Sequence, residues 1–344
     1  KISKAWAPIR HLNSVMNDKE IRAQYEKSLN LLTSHYGKIG QNKKLFSQYE
    51  KLYKQNKENF TQSQNKLLEN VLRGFKLSGV HLDAKKRKLF RNCQEKLAKL
   101  ESKFEQNILD SSNSWAKNFK TIKALKGMPQ SSLEIAEETA AKRNEAGFTL
   151  TLDQPCYMAV MTFADNQSLR KTMYLAYASR ASKKFPVSRK WDNTKIIEDI
   201  LILRQEMSQI LGYKNYAEYS LATKMAKSTD VVIDFLESLK IKAISKSKKE
   251  ISVLKKFAKK HYNLKTISPW DIAYIAEKYK EENFGISQEE LKQYFPVENV
   301  IKGLFKLVKS LYGIEVKLKK TKEVWHKDVR LYEIFDKNKK LRGK

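Results

Sequence analysis

Helical periodicity constrains this chain more than any other feature of its sequence. Between Asp83 and Phe119, the residues Phe90, Leu97, Leu100, Phe104 and Ile108 recur at spacings of three, four and seven, while Lys and Glu fill the positions between them. At 3.6 residues per turn that spacing gathers the apolar side chains onto one face of an α-helix. Similar patterns predict helices over residues 18–36, 43–56, 59–77, 157–164, 167–181, 193–211, 230–262 and 297–312. Asp83 is placed to cap the long helix, which either pairs with its predecessor as a coiled-coil hairpin or lies on a bundle. Ser268-Pro269-Trp270-Asp271 reads as the start of a helix reaching about Glu282, with Ser as cap, Pro in the first turn and an acid at the positive end of the dipole. Ser287 and Glu290 have capping-box spacing, and Gly212 is a stop signal.

Two stretches carry a period of two instead. Phe148, Leu150 and Leu152 alternate between Gly147 and Asp153, and the segment ends at Gln154-Pro155. Beyond Gly313, Ile314, Val316 and Leu318 alternate, as do Val329 and Leu331, with turn residues at Asp336-Lys337-Asn338. The fold class is therefore mainly α: multi-helix bundle subdomains with a small β element at the C-terminal end. The extended segment near 147 divides the chain into residues 1–146, an N-terminal helical subdomain, and 147–344, a second helical region ending in a partial β-sheet.

Composition excludes several functions. No apolar run approaches the roughly 20 residues that cross a bilayer, and Ile196–Leu203 is interrupted by Glu198 and Asp199. Only Cys93 and Cys156 are present, without C-x-x-C spacing, which argues against a disulfide framework or a thiolate metal site and suits reduced thiols in a cytoplasmic protein. The net charge of +30 raises the question of a polyanion partner. Of the 68 basic residues only 12 are Arg, whose planar fork suits bidentate phosphate and base contacts, and the lysines are interleaved with apolar helical positions. Nucleic acid is thus the lesser reading and a solvated surface the greater, with the densest runs at 246–260 and 317–322.

No motif for chemistry is complete. His11, His35, His81, His261 and His326 include no pair three or four residues apart, so a two-histidine helical metal site is absent from the sequence. His326, between Trp325 and Lys327-Asp328, is read as a surface or sheet-end histidine. Phosphate-loop and G-x-S-x-G patterns are also missing. The acidic pairs at 137–138, 281–282 and 289–290 diverge by about 100° on a helix and read as solvated faces.

Nine strings take the reading further. They are Ala5–Met16 (AWAPIRHLNSVM), Phe75–Val80 (FKLSGV), Thr149–Pro155 (TLTLDQP), Val160–Asp165 (VMTFAD), Tyr174–Ser182 (YLAYASRAS), Asn215–Met225 (NYAEYSLATKM), Pro269–Tyr274 (PWDIAY), Tyr294–Pro296 (YFP) and Val324–Arg330 (VWHKDVR). In order and spacing they resemble the thimet oligopeptidase family of zinc metallopeptidases across essentially the whole chain. The resemblance implies an ellipsoidal helical enzyme split by a channel, in which short unfolded peptides are cut at internal bonds and zinc is held by H-E-x-x-H plus a later glutamate.

This chain lacks that motif, so no catalytic residue and no metal ligand can be assigned in it. It is expected to be a piece missing both ends, binding no zinc and inactive alone, and monomeric. The hairpin from Val329 to Lys344 is expected to line the substrate channel, with Arg330 and Tyr332 as candidate substrate contacts and with a strand edge open to a peptide. Because the chain stops inside that hairpin, the hairpin is also expected to lack a strand partner. Two alternatives remain open: a basic helical module binding nucleic acid or another polyanion, and a truncated homologue that binds peptides without cutting them.

Overall fold

The computed structural model describes residues 2–344. Among these residues there are fourteen α-helices and five short strands, which bears out the mainly α reading. In chain order they are α1 (Ile2–Val15), α2 (Lys19–Gly40), α3 (Lys43–Asn56), α4 (Gln62–Leu77), α5 (Ala84–Ser114), β1 (Ala116–Phe119), α6 (Gln130–Lys142), β2 (Phe148–Thr151), α7 (Gln154–Phe163) and α8 (Gln167–Ala178). Then follow α9 (Thr194–Ile210), α10 (Tyr216–Leu221), α11 (Thr229–Tyr262), α12 (Ile272–Phe284), α13 (Gln288–Lys292), α14 (Val297–Tyr312), β3 (Glu315–Lys319), β4 (Leu331–Phe335) and β5 (Leu341–Gly343). Two compact units emerge. One is Ala23–Tyr274; the other joins the described residues up to Arg22 with Ile275–Lys344.

Helix starts follow local chemistry. Asp83 caps α5 by accepting from the Lys86 N–H at 2.8 Å, Asn42 caps α3, and Thr61 with Gln64 forms a reciprocal capping box on α4. Gly212 lies just past the end of α9 with φ of 86°, and Gly313 ends α14 with φ of 66°.

The long helix departs from expectation at its far end and in its partner. It stops at Ser114 instead of running to Phe119, because residues 116–119 pair antiparallel with residues 148–151, Ala116 opposite Thr151 and Phe119 opposite Phe148. Its main partner is α9, not the preceding helix, so the hairpin alternative gives way to packing within a bundle. Phe90, Cys93 and Leu97 of α5 bury against Ile200, Leu203 and Met207 of α9, each set spaced by three and four. Full burial of such a side chain contributes about 1.5–3 kcal/mol. A second core in the same unit gathers Trp115, Leu125, Leu150, Val160 and Met173 around the two-stranded sheet, α7 and α8. Sequence periodicity passed over α1, which carries Pro8 inside it, and α6.

Candidate functional site

The C-terminal sheet has strand order β3-β4-β5, all antiparallel. Its register sets Leu318 opposite Tyr332 and Val316 opposite Ile334, which gathers four apolar side chains onto one face. The other face carries Lys317, Lys319 and Glu333, and Glu333 is paired with Lys319 at 2.8 Å and Lys344 at 3.2 Å. Asp336 makes the turn into β5 by accepting from the Asn338 and Lys340 N–H groups, both at 2.9 Å, with Lys339 in the left-handed region at φ of 58°. The Val329–Lys344 hairpin therefore has the partner it was expected to lack: β4 is the central strand, and β3 and β5 are the edges.

Arg330 and Tyr332 lie together on the apolar side of this sheet, facing α14. The Arg330 guanidinium meets Glu298, in the first turn of α14, at 2.7 Å. The Tyr332 ring stands edge-on to Phe305 of the same helix, with centroids 5.2 Å apart and planes at 71°. Glu298 and then Tyr332 hold the guanidinium in its charged form, and Arg330 in turn lowers the Glu298 carboxyl below its ordinary range. The Arg330–Glu298 pair is largely exposed. On the same unit, His326 Nδ1 accepts from the Asp328 N–H at 3.3 Å, and Trp325 stands edge-on to His11 at 4.6 Å.

A more elaborate polar cluster, which sequence reading missed, lies in the Ala23–Tyr274 unit. Arg170 and Asp271 form an ion pair of 2.7 Å with side chains 2% and 0% exposed. The guanidinium also donates to the carbonyls of Ala164 at 2.7 Å, Asp165 at 3.1 Å and Trp270 at 3.2 Å. The second Asp271 oxygen accepts from Gln167 at 2.9 Å and from the Ser268 N–H at 3.1 Å. Tyr274 lies under the guanidinium, 4.1 Å from it, and donates its hydroxyl to Asp165 at 2.9 Å. Burial, and then the negative Asp165, push the Tyr274 phenol well above its usual range. Asp271 was expected to face a helix dipole; α12 instead begins one residue later, and the carboxylate is spent on an arginine 101 residues away in sequence. Both oxygens of that carboxylate are engaged, so the cluster clamps α8 to the entry of α12.

Other candidate chemistry is sparse. Among the described residues, no group of three or more His, Cys, Asp or Glu is arranged to hold a metal ion. The residues present therefore do not fit a zinc site. A cavity of about 260 Å³ opens beside Met128, Ile135, Thr151 and Cys156. Burial pushes the Cys156 thiol up, which keeps it protonated, and the Thr151 hydroxyl is already committed to Asp153 at 2.7 Å. Cys93 is likewise raised by burial, beside Glu206. No described helix is long and apolar enough to cross a membrane.

Residues 160–344 match peptidase family M3, and residues 1–87 match the neurolysin/thimet oligopeptidase N-terminal domain. The chain belongs to peptidase family M3. It is 41% identical to oligopeptidase A of Escherichia coli strain K12 over 343 residues, covering 99% of this chain and 50% of that protein. Oligopeptidase A of Haemophilus influenzae is 40% identical over 346 residues, covering 100% of this chain and 50% of its own. A probable cytosolic oligopeptidase A of Arabidopsis thaliana is 34% identical over 347 residues, covering 98% and 49%. The chain spans about half the length of the curated relatives it matches.

Proposed function

We propose that this chain is the scaffold and channel-wall half of an M3 oligopeptidase that hydrolyses internal bonds of short unfolded peptides in the cytoplasm. One observation carries the reading: a colinear match over 99% of the chain falls on 50% of oligopeptidase A. The exposed apolar residues of α11 agree with it, since Phe235 and Leu239 on one side and Ile241 and Ile244 on another are open to solvent, as on a helix meant to be covered. The five widely spaced histidines support the further point that zinc, the family's cofactor, is held by residues outside this chain. The division at 146/147 belongs to the same proposal, with the two family matches, 1–87 and 160–344, on either side of it. So does a monomeric state.

Arg330 and Tyr332 are proposed to line the channel, and Arg330 to exchange Glu298 for a carboxylate of the bound peptide. In a protein of full family length carrying this sequence, Arg330→Glu is expected to raise KM about tenfold with little change in kcat, as loss of a ground-state contact does. Unchanged KM would remove Arg330 from the substrate path. The contrary reading, a polyanion-binding module resting on the charge of +30, requires nucleic-acid affinity at physiological salt that falls steeply as salt is raised.

A further inference from the structure

We propose that the cavity between α6, β2 and the start of α7 binds a small apolar amine in its protonated form, whether a free amine or the amino terminus of a short peptide with an apolar first residue. The site lies wholly within the Ala23–Tyr274 unit and is independent of the half-enzyme reading.

Local geometry opens the space. Ser132, Ile135, Ala136 and Thr139 stand at steps of three, four and seven on α6, which puts them on one helix face toward the cavity. Thr149 and Thr151, two apart on β2, present their side chains to it from the sheet. Ser, Ala and Thr are short, so helix and strand meet without filling what lies between them. Met128 supplies a buried apolar wall, Pro155 and Cys156 from the first turn of α7 close one end, and Ile135, largely exposed, stands at the rim. The volume is about 260 Å³. An apolar cavity of roughly 150 Å³ already holds benzene, so a ring with a short arm fits.

The walls select the charge of that arm. In a chain with 68 basic residues and a net charge of +30, no Lys or Arg lines this cavity among the described residues, and Asp153 is its charged group. The Thr139 hydroxyl donates to the Ile135 carbonyl at 2.7 Å and the Thr151 hydroxyl to Asp153 Oδ2 at 2.7 Å. With those hydrogens spent, the two hydroxyl oxygens and the carboxylate offer lone pairs. An ammonium brings three donors and no acceptor, which is the complement of such a wall. The positive end of the α7 dipole opposes a cation with about half a charge. Asp153 carries a full one, and its side chain makes no capping bond to α7 that would turn it away from a ligand. A carboxylate of the same size would meet Asp153 with no cation to offset it.

The Cys156 thiol lines the cavity and reports on occupancy, while Cys93, buried beside Glu206 on α5, serves as an internal standard. The 344-residue chain is titrated with 2-phenylethylamine, and alkylation of each cysteine by iodoacetamide is followed by mass spectrometry at mildly alkaline pH, where thiolate is available. The amine is expected to slow Cys156 and not Cys93, with a Kd on the order of 1 mM for a ligand of about nine heavy atoms. 3-Phenylpropionate, with the same ring and the opposite charge, should give no protection at the same concentration. Asp153→Asn should weaken protection by the amine about threefold to fivefold. Ile135→Ala should weaken it without touching charge, and Lys142→Ala, on α6 outside the cavity, should leave it unchanged. Asp153 and Ile135 are exposed, so the thermal midpoint should stay as it was, which separates a lost site from a lost fold. Phenylalanyl-glycinamide distinguishes the sources: protection matching the free amine assigns a peptide amino terminus, protection by 2-phenylethylamine alone assigns a free amine, and either upholds the site. Equal protection by amine and carboxylate, or protection by the amine that survives Asp153→Asn undiminished, overturns the charge selection on which the proposal stands. No protection of Cys156 by either amine overturns it outright.

Discussion

Replacing Asp271 with leucine removes the acceptor around which one end of the Ala23–Tyr274 unit is tied. Three donors lose their partner: the Arg170 Nη2, the Gln167 amide and the Ser268 N–H. Gln167 is exposed and can turn to water, but the guanidinium is 2% exposed and cannot. Leaving one member of a buried pair uncompensated costs about 3–5 kcal/mol. At about 2–4 °C per kcal/mol for a unit this large, the thermal midpoint falls by roughly 6–20 °C. Arg170→Met should cost a similar amount, since it strands the carboxylate and takes the donor from the carbonyls of Ala164, Asp165 and Trp270. The double variant should regain much of the loss, because two apolar side chains of similar volume remove both charges together. Urea titration followed by tryptophan fluorescence gives the full cycle, with Trp270 as a local reporter. Single losses below about 1 kcal/mol, or a double loss equal to the sum of the singles, would refute the claim that the pair acts as one buried unit.

Two further outcomes follow from local geometry. Gly127 has φ of 89°, and a Cβ there would lie 2.4 Å from the Phe163 carbonyl oxygen and 2.7 Å from Asp165 Oδ1. Gly127→Ala should therefore destabilise by about 2–3 kcal/mol, whereas Gly303→Ala should stabilise by about 0.5–1 kcal/mol; urea midpoints moving together would contradict the account. Tyr274 titrates above its ordinary value of 10.0 in the fold, so the folded state holds that proton more tightly than the unfolded one. Its contribution is fully present below pH 10 and declines as pH rises past it. Tyr274→Phe should flatten part of the alkaline fall in stability and cost about 1 kcal/mol at neutral pH for the lost hydrogen bond; an unchanged alkaline slope would remove Tyr274 as its source.

How far the sequence could be read depended on the range of the forces involved. Caps at Asp83 and Ser287 are contacts across three residues, and each forms where the sequence places it, whereas the helix expected from residue 59 starts at Gln62 behind a Thr61 cap. The end of α5 is different. Trp115 and Phe119 follow Phe104 and Ile108 at steps of seven and four, so periodicity alone carries the helix onward. What ends it is a run of Ser and Asn from Ser111 to Ser114, residues that compete for backbone hydrogen bonds, together with a strand partner some thirty residues downstream. Asp271 shows the same limit, since the signal for a helix start was local and its true partner, Arg170, lies on α8. In the candidate channel wall, alternation placed Arg330 and Tyr332 on one hairpin, but Glu298 and Phe305, which hold them, come from a helix whose docking no short-range pattern records. Pro8 inside α1 hid a helix by the ordinary rule that proline ends one.

Zinc content and peptide cleavage, measured together on the purified 344-residue chain and on a protein of full family length carrying it, test the central claim most directly. The account predicts well under one zinc per molecule and no cleavage of a short internally quenched peptide by the chain alone, with both properties present in the longer protein. One tightly held zinc per 344-residue chain accompanied by turnover would contradict it.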